Sequence, residues 1–448
     1  MNLRIKRFNK GLWILPALMI SPISLAIEFE YSLFSTYRYS DNLAQNNLQL
    51  SGTALNSGGT FAFENEARNV WTVDFSGAIS KEWFSIDELD RQDRNQLSAS
   101  IEYGSPNSNF EFLLRDDYSQ APRDRFAVQE VGNLVDVNVV TVRPSYFFNI
   151  TPLDLINAEV TYLDSKREGE DSDVIGQESF DFVNISREVR YEKTLNSSSD
   201  ASLVVESVTT RFNEDSIGTD FDQENVFLRW VGRGRLNQIQ VEIGQATVTN
   251  ENDEDFDTEL LNILYNRQIT GSANIGVSIR NSVNFVVSES FIEDSINVDD
   301  QIGSFGSAQK VKSININYDM TGDSLSGNFQ IFKANYSGLS GSNSEDRLGA
   351  GVTMTYSLSQ YFSSAPQTNI TAVLERNKTE FENAAGTDIQ NDEWLYSVQF
   401  NYFAKASLSY FIQYLQRDVS STSTTSAFLS GDAESISVGF NYSPATER

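Results

Sequence analysis

The sequence predicts an all-β protein: a single antiparallel transmembrane β-barrel of about 18–20 strands, with short periplasmic turns and long acidic extracellular loops. Three observations carry that prediction. Apolar and polar residues alternate with a period of two along segments of about ten residues. Aromatic residues gather at the ends of those segments. The connections alternate between short turns and long polar loops.

The chain opens on a secretory signal. Arg4, Lys6, Arg7 and Lys10 form a basic region, "LWILPALMI" is the apolar region, and Ser24 and Ala26 are the small residues of a cleavage site after Ala26. The expected organisation is a signal peptide over 1–26 and a barrel over 27–448. A membrane anchor needs about twenty apolar residues, whereas this run is broken by Pro16 and Pro22. Removing the signal leaves 29 basic against 62 acidic residues, a net charge of −33. So acidic a product is a poor ligand for nucleic acid.

Beyond residue 26 no apolar run approaches the length of a membrane helix, so any span must be a closed barrel, in which strand pairing satisfies every backbone polar group. "FEYSLFSTYRY" (29–39) starts the series, with Tyr31, Leu33, Tyr37 and Tyr39 on one face and Glu30, Thr36 and Arg38 on the other. "NVWTVDFSGAISKEW" sets Trp71, Val73, Phe75, Ile79 and Trp83 against Thr72, Asp74, Ser76, Ser80 and Glu82. "LSASIEY", "DLINAEVTY", "VFLRW", "IQVEI", "LNILY", "IGVSI" and "WLYSVQFNYF" repeat the pattern, and "ISVGFNY" ends it, placed to close against the first strand. The segment 43–60 and the turn around "SQYFSSAPQ" resist assignment.

Aromatics and loops decide between a barrel and a soluble sandwich. Tyr39, Trp83, Tyr103, Tyr146, Tyr162 and Trp230 sit near strand ends, where barrels carry their interfacial girdles. A sandwich core gives tyrosine no reason to be there. "NITPLD" (149–154), "LNSSSD" (195–200), "TGSAN" (270–274) and "TGDS" (321–324) are short turns, and between them lie segments such as "SKREGEDSDVIGQ" (165–177) and "ENDEDFDTE" (251–259). Short connections at one end and long ones at the other describe a barrel of the cell outer membrane.

Composition then narrows function. Cysteine and histidine are both absent. That removes disulfides, thiolate or imidazole metal sites, and Ser-His or Cys-His catalysis. Carboxylate-only chemistry survives in principle, but with 62 acidic residues some pair always looks suggestive. The sequence predicts no catalytic residue and no cofactor.

Three stretches carry a resemblance: "YRYSDN" (37–42), "DDYSQAPRDRF" (116–126) and "GNLVDVNVVTVRPSYFF" (132–148), together with the hairpin rhythm of 154–268. With these the chain resembles outer-membrane β-barrels associated with the PEP-CTERM/exosortase system and exopolysaccharide loci. It departs from them at Arg143-Pro144, where relatives usually carry Gly-Pro. The resemblance implies a channel or assembly component for surface polysaccharide, with the exported polymer and its periplasmic export machinery as partners beside outer-membrane lipid and lipopolysaccharide. It implies no catalytic residues. A structural or adhesive surface barrel and a generic porin are the alternatives.

Candidate sites follow from side-chain parity. Arg38, Arg115, Arg143, Arg187, Arg229 and Arg280 are expected to face the lumen, as are Asp74, Glu82, Glu102, Glu159 and Glu242. Such charges either form a selectivity constriction or pair to satisfy a wet, crowded interior. Phe34, Phe147, Phe227, Phe332 and Phe411 break the polar-inward rule. They either form a stacking track for sugar rings or pack the wall. "EDSD" (170–173), "ENDEDFD" (251–257) and "NVDD" (297–300) can offer carboxylate oxygens to calcium but match no EF-hand loop, and solvated loops are the plainer reading. The first strand begins just after the cleavage site, so any obstruction is expected from loops, with 119–136 and 286–306 the longest. Acidic loops should draw cations to the entrance, giving a nonselective or modestly cation-selective pore that accepts a neutral or weakly charged glycan.

Overall fold

Strand pairing accounts for all the regular structure that can be described. The computed structural model describes residues 27–444 apart from 44–49, 68–69, 87–88, 90, 105–107, 123–133, 169–180, 214–219, 252–253, 285–307, 339–343, 363–366, 383–387 and 423–431. The signal region, "EDSD", "NVDD", 286–306 and the central part of 119–136 therefore lie outside the described residues.

The chain runs through β1 (Ile27–Ser40), β2 (Gly52–Ala67), β3 (Trp71–Phe84), β4 (Gln92–Tyr103) and β5 (Phe110–Pro122). Then come β6 (Leu134–Thr151), β7 (Asp154–Glu168), β8 (Phe182–Asn196), β9 (Ser199–Phe212) and β10 (Phe221–Arg233). The second half holds β11 (Asn237–Asn250), β12 (Asp255–Thr270), β13 (Ala273–Asn284), β14 (Gln309–Thr321) and β15 (Leu325–Gly338). It finishes with β16 (Ser344–Ser357), β17 (Asn369–Glu382), β18 (Asp388–Lys405), β19 (Leu408–Ser421) and β20 (Ala433–Tyr442).

Each strand pairs antiparallel with its sequence neighbour, and β20 returns to β1 from Leu33↔Tyr442 to Ser40↔Ser435. The result is one closed sheet of 20 strands. Closure leaves no unpaired edge. The segment that resisted assignment resolves at Gly52, where β2 begins, because "GTALNSGGTFAF" is rich in small residues and hides its alternation. The "SQYFSSAPQ" turn is the long connection between β16 and β17 at the otherwise short-turn, periplasmic end.

The outer face is apolar as lipid requires. Leu228, Ile243, Val189 and Val226 are among its exposed hydrophobics. Aromatics flank them. Trp71 and Tyr103 meet at 4.7 Å between centroids near the periplasmic rim, and Trp394 and Tyr396 stack at 5.9 Å towards the other end.

Near the extracellular ends the alternation inverts. In β6, Val135, Val137 and Val139 turn inward and are buried, while Asp136 and Asn138 take the outer row. In β10, Phe221 is buried inside while Asp222 and Glu224 lie outside. In β14 and β15, Val311, Ala334 and Tyr336 form a buried inner cluster behind the outer residues Lys312 and Lys333. Strands that outrun the hydrocarbon layer meet water on their outer side, so polar residues move outward and apolar ones pack within. The inversion marks the membrane boundary.

A charge at mid-strand on the lipid face costs about 2–4 kcal/mol. Val73 and Val160 lie on the outer row and Thr72 and Thr161 on the inner one. Val73→Arg and, at mid-strand on the same face, Ile243→Arg are expected to reduce assembly, read as loss of the fast-migrating unheated band on a gel, and Val160→Arg, opposite Arg187 in register, to reduce it less. Thr72→Arg and Thr161→Arg are expected to keep that band.

Candidate functional site

The luminal wall follows from register. Once β1 places Tyr31 and Tyr37 outward, every cross-strand partner inherits its face, so inner residues form continuous oblique rows around the barrel. Through the first twelve strands those rows are charged. Glu82 on β3 is only 5% exposed and is held from two sides. Arg38 donates to its Oε1 at 3.0 Å and the Arg94 Nε to its Oε2 at 3.1 Å. Arg115 pairs with Asp117 at 2.7 Å, and Arg229 with Glu242 at 2.6 Å. Gln240 and Asn262 also donate to Glu242, at 2.9 and 2.8 Å. Asp74 accepts from Ser100. Arg280, beside Asn262 in register, donates to Ser282 at 2.8 Å. Glu102 and Arg143 lie on the same inner row through Leu113.

One row collects like charge. Glu159, Glu188 and Glu206 are direct cross-strand neighbours on β7, β8 and β9. Directly opposed like charges destabilise a sheet, and here donors offset the repulsion. Ser145 donates to Glu159, and Ser186 and Asn225 to Glu206, each at 2.9 Å, while Arg190 stands 3.9 Å from Glu188.

Arg187 departs from the expected placement. It pairs in register with Val160 and alternates with Val189 and Tyr191, so it lies on the outer row and is exposed. It sits at the polarity inversion, beside Ser207 and then Glu224 along its row. A charged residue is tolerated on the outer face at that level, so charge alone misassigns it. The inner arginine of β8 is Arg190.

From β14 to β20 the wall changes character. Asn315, Asn317, Asn328, Gln330, Gln399, Asn401 and Gln413 face inward with Thr355, Thr371 and Ser397. They bond mainly to one another: Gln399 to Asn401 at 2.6 Å, Asn401 to Asn369 at 2.9 Å, Gln413 to Ser397 at 2.9 Å. Asn317 and Asn328 instead donate to Asp319, and the pairs Glu345–Arg347 and Glu393–Arg417 keep charge in this amide-rich sector, whose amides carry no periodic signal of their own in the sequence.

The inner phenylalanines have a structural partner. Phe34 lies opposite Gly58, Phe227 opposite Gly244, Phe332 opposite Gly349 and Phe411 opposite Gly439. A Cβ on Gly349 would stand 2.0 Å from the Phe332 ring, and one on Gly439 2.6 Å from Phe411. These two rings lie against the wall over a missing side chain, covering backbone that glycine leaves bare. Phe147, opposite Asn157, is the one without a glycine. Among the described residues no group of three or more acidic side chains is arranged to hold a metal ion.

No protein-family model matches the chain, and neither does any curated protein. Solved structures do. The FrpB iron transporter from Neisseria meningitidis (F5-1 variant) superposes with a TM-score of 0.51 at 9% identity, over 93% of this chain and 82% of that one. Its F3-3 variant gives 0.51 at 8% identity, over 93% and 81%. This is an outer-membrane β-barrel. OpdQ from Pseudomonas aeruginosa matches with a TM-score of 0.45 at 10% identity, over 94% of this chain and 99% of that one. Identities this low bear on fold alone, and the likeness to PEP-CTERM-associated barrels stays with the sequence stretches that suggested it.

Glu82 is the test of the charged wall. Glu82→Ala strands Arg38 and Arg94, and the loss of two charge-assisted bonds is expected to cost about 1.5–3 kcal/mol. Urea unfolding of the reconstituted barrel reads this as a lower midpoint. Glu30→Ala, at an exposed inner position, is expected to change stability by less than about 0.5 kcal/mol.

Proposed function

We propose that the protein is a solute channel of the outer membrane that favours neutral and cationic hydrophilic solutes. The observation that carries this reading is the division of the luminal wall. The row Glu159, Glu188 and Glu206 supplies negative potential on one side, and the amide-rich sector of β14 to β20 supplies uncharged donors and acceptors on the other, interspersed with Asp319, Glu375 and the pairs Glu345–Arg347 and Glu393–Arg417. Twenty strands spaced ~4.8 Å apart and tilted by ~40° enclose a cylinder about 40 Å across. Buried apolar clusters line its inner face at the extracellular ends.

Export of surface polysaccharide is the narrower form of the same proposal. It rests on the sequence resemblance, and the amide sector favours it because a polyhydroxylated chain exchanges hydrogen bonds with amides without a charge to desolvate. A structural or adhesive barrel without transport is the alternative.

Reconstitution in planar bilayers under a salt gradient tests the channel. The expected reversal potential is cation-favouring, and Glu188→Gln with Glu206→Gln should move it towards zero. A strongly anion-selective potential contradicts the charge argument, and absence of any conductance from folded protein supports the structural alternative.

A further inference from the structure

Lysines on the outer face form a second charged feature, separate from the lumen. On β14, Lys310 and Lys312 project outward, and on β15 so does Lys333. Lys312 lies opposite Asn281 on one side and Asn335 on the other, and Lys333 lies opposite Ile314. Ile279, Ile314, Lys312, Lys333, Asn281 and Asn335 line a shallow cleft of about 440 Å³ on this surface. Lys81 pairs with Asp93, Arg376 with Asp392 and Lys378 with Glu380 on the same face, while Arg187 stands exposed beside Ser207. Among the described residues Lys310, Lys312 and Lys333 have no such partner. Asp346, on the next strand, accepts from Asn335 at 2.7 Å.

Position fixes the chemistry. Below the lysines the outer rows are apolar, with Ile314, Ile316 and Tyr318 on β14 and Ile331 and Phe329 on β15. Lys312 and Ile314 are successive residues of one outer row, so the cleft straddles the boundary between hydrocarbon and headgroups on the extracellular side. Long lysine stems reach from apolar surface to the headgroup level.

We propose that the Lys312 and Lys333 cleft binds a lipid of the outer leaflet through phosphate on its headgroup, with Ile279 and Ile314 supporting an acyl chain. The two ammonium groups take the phosphate oxygens, Asn281 flanks the headgroup, and the apolar rows below continue the chain's path. The site is independent of what passes through the lumen.

The test titrates folded protein in zwitterionic detergent with a bisphosphorylated glucosamine lipid, with phosphatidylcholine and with inorganic phosphate, read by native mass spectrometry. The phosphorylated glycolipid is expected to bind, and Lys312→Gln or Lys333→Gln to weaken it about fivefold each, about twenty-five-fold together. Lys378→Gln, whose lysine is already paired, is expected to leave binding unchanged. Unaltered binding in the double variant overturns the site, as does an equal loss in Lys378→Gln. Inorganic phosphate binding as tightly as the lipid would make this a free-anion site and overturn the lipid assignment. Should the glutamine variants lose the heat-modifiable band, the unmodified protein still decides: binding must weaken as salt rises, and salt-insensitive binding refutes the charge contact.

Discussion

Every feature above depends on the closure of β20 onto β1. In hydrocarbon an unpaired backbone amide or carbonyl costs several kcal/mol, so a sheet of this length is admissible only if its last strand finds its first. The register from Leu33↔Tyr442 to Ser40↔Ser435 does that. It also propagates a face assignment around the whole wall. Because Tyr37 faces out, Val438 must, and because Arg38 faces in, Ser437 must. A slip of one residue at any hairpin would turn a lysine-free inner row into lipid and an isoleucine row into water. The bulges lie at the periplasmic turns, at Asn149/Thr151, Thr194/Asn196, Gln268/Thr270 and Phe403/Lys405, where extra residues leave the membrane-crossing register intact.

A second consequence is that the barrel is two environments stacked along one axis. Within the membrane the wall is apolar outside and polar inside. Beyond it the same strands bury Val137, Val139, Leu163 and Phe182 inside as a small soluble-type core. Thr247 and Thr249 meanwhile donate to Asp257 and Asp255 on the outer surface, each at 2.7 Å. The apolar packing there holds together strand ends that lipid no longer supports.

Much of this was legible in the sequence, for a definable reason. Alternation, interfacial aromatics and loop asymmetry are local signals, and they specify a barrel without any knowledge of which strands meet. The region 43–60 was not legible, because Gly52, Gly58 and Gly59 remove side chains from the pattern and their reason lies on other strands, with Gly58 facing Phe34. The parity that sends Arg187 inward is misjudged, since Arg187 shares its face with Val189 and Tyr191, and a charge is tolerated there because the membrane boundary crosses β8 below it. The amide-rich wall of β14 to β20 was invisible for a different reason. Gln399 and Asn401 take their meaning only from Asn369, a residue on a different strand.

Lysine keeps to one side of the wall, whereas arginine occurs on both, with Arg187 and Arg376 outside. Through the membrane-crossing strands, the described lysines at 81, 166, 193, 310, 312, 333 and 378 all occupy outer rows. The inner carboxylates are instead met by arginine: Glu82 by Arg38 and Arg94, Glu242 by Arg229, Glu345 by Arg347 and Glu393 by Arg417. A planar guanidinium holds its charge at any depth and presents several donors in fixed directions, so it can tie carboxylates within and across strands. An ammonium on a flexible stem does that poorly, but it can lie along apolar surface and lift its charge to the headgroups. Arginine therefore holds the carboxylates of the aqueous wall from inside, while the outer lysines either pair with carboxylates of their own face, as Lys81, Lys166, Lys193 and Lys378 do, or stand free for the headgroup level, as Lys310, Lys312 and Lys333 do among the described residues.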